Sequence, residues 1–403
     1  MSEAPRLRVL FAGASLEPDW QGGEPVVLDL LRRGLEHLGV EVVERGSRRS
    51  FLDLVALTAT PYDAEIRRVR SYRKTLRELR PDAVLVFYDF DCSWVIAARK
   101  EGIPVLPDIQ IYWATCPVGT HYIEGVGTCA GPELGKCLRH MARAPPSPNL
   151  ALPVPGLPAP LGFALYSKLW TRPAALGQAD ALIANSRFTA GVLARAGYEK
   201  IVTIPNSVDA ELFREGAWAG GSKIVLYPVA RSLQERKGYP HFVELAKAVK
   251  AKMPEVRFQV LNHAGDDLLE GTAYLSRQEL SDKFRSVYLA VLPGLWDEPF
   301  GLVTVEAMAA GRPVVAYEGG AMSEIIENGV SGVIVPRGNV AALTAAVVDL
   351  LNDEEKARRI GHAARARVEA EYTYQKMAGR YLALLQRVIQ ERSAPDRRPA
   401  AAG

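Results

Sequence analysis

Short runs of β-branched and apolar residues alternate along this chain with longer segments whose apolar positions recur at helical spacing. Arg8 to Ala12 reads as a strand. Val27, Leu31, Leu35 and Leu38 then share one helical face, with Pro25 near the first turn, where a missing N–H is tolerated. Gly39 to Val43, Ala83 to Phe87, Ile103 to Leu106 and Ala181 to Ala184 read as further strands. The alternation restarts at the strand Lys223 to Tyr227 and a helix carrying Phe242, Leu245, Ala246 and Val249. Strands follow at Val256 to Leu261, Tyr288 to Leu292, Pro313 to Tyr317 and Gly332 to Val335, with helices near Val303 to Ala310 and Val340 to Leu351. Strand, helix, strand in succession implies parallel pairing, so the expected fold is α/β. Two Rossmann-like domains would then face each other across a cleft, with ligands at the carboxyl ends of the strands.

Polar and glycine residues cluster between about 205 and 220, which places a domain boundary there. The expected organisation is a first domain over 1–205, a second over 206–375, a helix over 376–392 that crosses back to the first, and a disordered Pro/Ala/Arg-rich tail over 393–403. A chain of 403 residues suits two domains, and the 48% apolar content suffices for two cores. The net charge of +3 gives no warrant for a nucleic-acid partner. Four cysteines make no disulfide scaffold, and the short apolar run Val9 to Gly13 reads as a first strand rather than a signal peptide, so a cytoplasmic setting is expected. The uncharged stretch Ala144 to Ser167 is long enough to suggest a membrane span, but its seven prolines deny a helix the donors that lipid cannot replace.

The segment from Trp296 to Val315 carries the chemistry. It puts Glu298 in a strand-to-helix loop at the cleft, and Gly301 permits close backbone approach. The helix starting near Leu302 turns its free N–H groups toward whatever lies there, which favours an anion such as a diphosphate. Glu298 and Glu306 would repel that anion, so their fitting partners are the hydroxyls of sugar and ribose rings. The plain alternative is a pair of acids that favour a helix start.

This segment resembles the E-x7-E motif of family 4 glycosyltransferases, retaining enzymes of the GT-B fold. The resemblance implies that Glu298 contacts hydroxyls of a donor sugar and Glu306 holds the ribose, with Phe300, Gly301 and Leu302 near the sugar and phosphates. Val229 to Gly238 is similar to the family's diphosphate grip, which implies Arg231 and Lys237 as the cations that stabilise a departing nucleoside diphosphate without a metal. Ala184 to Thr189, Pro205 to Asp209 (Ser207 in place of the usual glycine), Gly319 to Glu324 and Asn328 to Gly332 extend the likeness. Gly22 and Gly23 fit the family's glycine loop beside the donor phosphates, though a simple turn explains them equally. The implied function is transfer of a sugar from a UDP- or GDP-sugar, bound by the second domain, to a glycan, lipid-linked or small-molecule acceptor bound by the first. The alternatives are a sugar-nucleotide-binding protein with little transferase activity, or a sugar-nucleotide epimerase. No cofactor is required.

Tyr112 to Pro117 departs from the family pattern. The usual histidine and aspartate before it are replaced by Gln110 and Ile111. Gln110 can position a sugar hydroxyl but cannot be a general acid or base; His121 or Asp108 could stand in. Cys116, Cys129, Cys137 and His140 form a candidate structural zinc set with irregular spacing, free thiols or a disulfide being the other readings, and Cys92 reads as a separate buried thiol. Seven cations from Arg67 to Arg80 crowd one predicted helix, opposed by Glu65 and Glu78. That helix is either a solvated face or a contact with an anionic membrane at its inner face.

Overall fold

The computed structural model describes residues 6–13, 23–45, 61–143, 169–218, 223–229 and 235–393, with a few positions within these spans left out. The tail over 394–403 and most of the proline-rich stretch lie outside the described residues. Eight strands come first: β1 (Arg8–Ala12), β2 (Glu41–Arg45), β3 (Ala83–Phe87), β4 (Val105–Ile109), β5 (Tyr122–Ile123), β6 (Gly127–Thr128), β7 (Leu182–Ala184) and β8 (Ile201–Thr203). Six of them form one sheet in the order β2-β1-β3-β4-β7-β8, parallel throughout, while β5 and β6 make a separate antiparallel hairpin. The second sheet has the order β11-β10-β9-β12-β13-β14, again parallel. Its strands are β9 (Ile224–Tyr227), β10 (Arg257–Val260), β11 (Glu270–Gly271), β12 (Leu289–Leu292), β13 (Val314–Tyr317) and β14 (Val333–Val335).

The central strands are apolar on both faces because helices cover both. Every residue of β3 is buried, as is every residue of β9 and β13. Strand order reverses beside β1 in the first sheet and beside β9 in the second. Such reversals open a crevice at the carboxyl ends of the strands.

The chain passes between the halves twice, side by side. Val208 N–H donates to the Tyr372 carbonyl at 2.9 Å, and Tyr374 N–H donates to the Val208 carbonyl at 3.2 Å. Beyond this crossing the helix Tyr374–Ser393 returns to the first half, where Met377, Ala378, Tyr381, Leu384, Leu385 and Val388 join the core of the first sheet. Gly34 allows the helix to come close, since a Cβ there would lie 2.5 Å from that of Ala378.

Candidate functional site

A cavity of about 390 Å³ lies where the carboxyl ends of the two sheets meet. Lys237, Glu298, Gly301 and Glu306 line it from the second half, and Gly23 and Gln110 from the first. Phe300 and Leu302 line it as well. Gly22 and Arg231 lie outside the described residues.

The loop after β12 is held by close contacts at glycines. Gly301 caps the helix Leu302–Ala309 with φ of 101°, and a Cβ there would meet Met322 Cε at 2.4 Å. The Glu298 carboxylate accepts from Lys237 Nζ at 2.7 Å and from Trp296 Nε1 at 2.9 Å. Lys237 also sits over the Trp296 ring, 4.5 Å from its centroid. The next residue, Gly238, has φ of 79° and packs directly on the Pro293 carbonyl. Cation and carboxylate thus belong to two loops locked together.

Glu306 is buried, 2% exposed, and its Oε1 accepts from Arg277 Nη1 at 2.5 Å. Burial pushes its carboxyl above the usual range, with the Arg277 guanidinium pulling the other way. Arg277 opens the helix Arg277–Ser286, whose start is fixed by a capping box between Ser276 and Glu279. The Ser-x-x-Glu spacing was visible in the sequence. The meeting of Arg277 with Glu306 was not, because it depends on how two helices pack.

On the first-half side Gln110 is engaged in a buried network. Its Nε2 donates to Asp108 Oδ1 at 2.8 Å, and its Oε1 accepts from Asn206 Nδ2 at 2.7 Å and Asn185 Nδ2 at 3.4 Å. Asp108 also accepts from Tyr381 of the returning helix, O to O 2.6 Å. Burial raises the Asp108 carboxyl to about 6, against the pull of the Tyr381 and Gln110 donors. Of the two stand-ins for the missing histidine, Asp108 is thus fully buried and committed to Tyr381 and Gln110. His121 lines a different, smaller cavity and its Nε2 lies 2.8 Å from Thr115 Oγ1. Gln110 does reach the large cavity, with its carbonyl taken by the two asparagine nitrogens.

Several contacts tie the halves together around this cavity. The Glu324 carboxylate accepts from the backbone N–H of Arg187 at 2.8 Å and of Phe188 at 2.5 Å, the first turn of the helix Arg187–Arg195. Tyr112 Oη donates to the Asp297 carbonyl at 2.9 Å, and Glu235 accepts from Gly125 N–H at 3.0 Å.

Cys116, Cys129, Cys137 and His140 do line one small cavity of about 10 Å³ together with His121. Among the described residues, however, no group of three or more His, Cys, Asp or Glu side chains is arranged to hold a metal ion. Of the readings left open for these residues, the arrangement matches free thiols. Cys129 Sγ is turned to the Gly131 carbonyl, Cys137 Sγ accepts from Glu133 N–H, and burial pushes the Cys137 thiol up. These cysteines and Cys92 are free thiols.

The basic helix runs Pro61–Leu79. Its opposing charge is larger than expected, because Glu101 accepts from both Arg73 and Arg77. Arg67, Arg70, Lys74 and Arg80 remain exposed. Among the described residues no helix is long and apolar enough to cross a membrane.

Residues 208–367 match the family model described as Glycosyl transferases group 1. The chain is 30% identical over 208 residues to the MMP alpha-(1->4)-mannosyltransferase of Mycolicibacterium hassiacum, a match covering 47% of this chain and 49% of that protein. It thus spans about half the length of the curated relatives it matches. Its fold is similar to that of the sucrose-phosphate synthase of Thermosynechococcus elongatus, with a TM-score of 0.67 at 17% identity over 96% of this chain and 100% of that one. It is also similar to Anabaena HepE in complex with UDP and glucose, with a TM-score of 0.64 at 16% identity over 94% and 100%. The chain accordingly has the GT-B fold, and its second half resembles the group 1 glycosyl transferase family over the matched residues.

Proposed function

We propose that the protein is a retaining glycosyltransferase that moves a sugar from a UDP- or GDP-sugar to a glycan, lipid-linked or small-molecule acceptor. The observation that carries this reading is the pairing of Lys237 with Glu298 beside the N-terminus of the Leu302–Ala309 helix, with the buried Glu306–Arg277 pair in the same cavity. In this reading the helix N-terminus and Lys237 receive the diphosphate, joined by Arg231. Glu298 accepts from hydroxyls of the transferred sugar and Glu306 from the ribose. The bond from the anomeric carbon to the diphosphate oxygen breaks, and the electron pair leaves with the diphosphate. Lys237 stabilises that charge where it develops. The acceptor oxygen bonds to the same face of the anomeric carbon, and its proton passes to the departing phosphate. An epimerase needs an unengaged acid and base in the cleft, whereas Glu298 and Glu306 are each paired with a cation.

A thermal-shift panel of UDP, GDP, ADP and their sugars tests the reading, since a ligand that binds only the folded chain raises its melting temperature. We expect one base to stand out. Glu306→Ala should weaken that nucleotide by about tenfold, or ~1.4 kcal/mol. An unchanged shift sinks the ribose assignment.

We further propose peripheral contact of the basic helix with an anionic membrane surface at its cytoplasmic face. In flotation assays the protein should rise with phosphatidylserine vesicles at low salt and lose that binding at high salt. Equal behaviour with neutral and anionic vesicles ends the idea.

A further inference from the structure

Three strand ends of the first sheet bring three amide side chains together at the cleft. Gln110 follows β4, Asn185 follows β7 and Asn206 follows β8, and all three line the cavity that holds Lys237, Glu298 and Glu306. Their orientations are set in sequence, starting from the returning helix. The Asp108 carboxylate, once ionised, can only accept, so Gln110 must turn its amide nitrogen to it. The Gln110 carbonyl then faces the opposite way and takes the nitrogens of Asn206 at 2.7 Å and Asn185 at 3.4 Å. The Asn185 nitrogen also reaches the Gln110 backbone carbonyl at 3.0 Å. Flipping either asparagine would set carbonyl oxygen against carbonyl oxygen. Both Oδ1 atoms are therefore directed away from Gln110.

Neither oxygen has a partner among the described residues, although Asn185 is 1% and Asn206 5% exposed. Buried side-chain acceptors are nearly always satisfied, so each of these oxygens calls for a donor, from a water or from a molecule in the cavity. The cavity beside them dictates its chemistry. Two neutral acceptors attract O–H donors and do not attract a phosphate, whose oxygens only accept. The phosphate end of a ligand is already provided for at Lys237 and the helix N-terminus.

We propose that Asn185 and Asn206 form a hydroxyl-accepting pair that holds a polyol ring in the cleft, with Gln110 as the positioning residue that aims them. This rests on the transferase reading above and adds to it the residues that grip the sugar on the first-half side. The ring is either the sugar of the donor or the acceptor polyol. Both offer neighbouring hydroxyls.

The experiment measures binding by calorimetry to wild type, Asn185→Ala and Asn206→Ala. One arm compares UDP with UDP-glucose and GDP with GDP-mannose. The other adds myo-inositol or methyl α-mannopyranoside to protein saturated with the nucleotide that binds. Bare-nucleotide affinity should be equal in all three proteins, which also shows that the variants fold. The variants should lose about tenfold in one arm only, and that arm identifies the ring. Single-deoxy analogues of that ligand supply a readout that a purely structural role would not move. Removing the hydroxyl that meets Asn206 should weaken binding to wild type by about tenfold and leave binding to Asn206→Ala unchanged. Gln110→Met should reproduce the loss without touching either asparagine.

Equal sugar binding by wild type and variants in both arms overturns the proposal and leaves the amides as holders of a buried water. A failure of UDP and GDP to bind wild type at all overturns the transferase reading, and the pair's ligand with it.

Discussion

Lys237→Met is expected to lower kcat by about a hundred- to a thousandfold, the cost of removing one preorganised group from a site of developing charge. Methionine keeps the apolar stem over Trp296 and removes only the ammonium. The effect should fall mainly on kcat, because the ground-state diphosphate is also received by the N–H groups of the Leu302–Ala309 helix. The charge on the departing oxygen appears only as the bond breaks. A second consequence follows from the geometry. Lys237 donates to Glu298 at 2.7 Å, so its loss leaves that carboxylate with Trp296 Nε1 as its side-chain donor among the described residues, and KM for the sugar nucleotide should rise a few-fold. Steady-state kinetics with the donor found in the thermal-shift panel separates the two effects. A kcat within tenfold of wild type would show that Lys237 is a partner of Glu298 and not a stabiliser of the leaving group.

Gly238→Ala should be the most damaging conservative change in the second half. The backbone there is left-handed at φ 79°, and an added Cβ would lie 1.7 Å from the Pro293 carbonyl oxygen, which is itself backbone. Neither neighbour can yield by rotating a side chain, so the two loops that carry Lys237 and Glu298 must part. The left-handed strain alone is worth about 1–3 kcal/mol. With the clash added we expect about 4 kcal/mol and a melting temperature lower by about 10 °C. Nucleotide binding should fail at temperatures where the fold survives. A left-handed glycine with open space, Gly329, is the control: its φ of 78° exacts the strain but its Cβ meets nothing within 4 Å. If Gly238→Ala is no worse than Gly329→Ala, the packing against Pro293 is not what holds the loop.

How much of this was legible in the sequence depends on the distance over which each feature is encoded. The βα alternation was, because strands buried on both faces must be continuous apolar runs; Ala83 to Phe87 and Arg8 to Ala12 were placed to the residue. The loop at Glu298 was too, since its glycines, its acids and the following helix lie within one short segment. The first-half wall of the cavity was not. Asn185 and Asn206 stand 75 and 96 residues from Gln110 and meet it only because β4, β7 and β8 are neighbours in the sheet. Local pattern cannot carry that. The same holds for Arg277 against Glu306, and for Glu101, which faces the basic helix from the end of another. The cysteines were legible only in part: their irregular spacing left a shared site open, they do line one cavity, and spacing does not say where the sulfurs point.

The returning helix Tyr374–Ser393 has a consequence for how the molecule is made. The first sheet lacks six apolar partners and the Tyr381 hydroxyl until this helix is in place, and the helix is the last of the described elements to be synthesised. The second half, by contrast, has its own core complete before then. On a ribosome the half that is translated first is therefore finished after the second, and its cleft wall, aimed through Asp108, sets only when this helix packs against it.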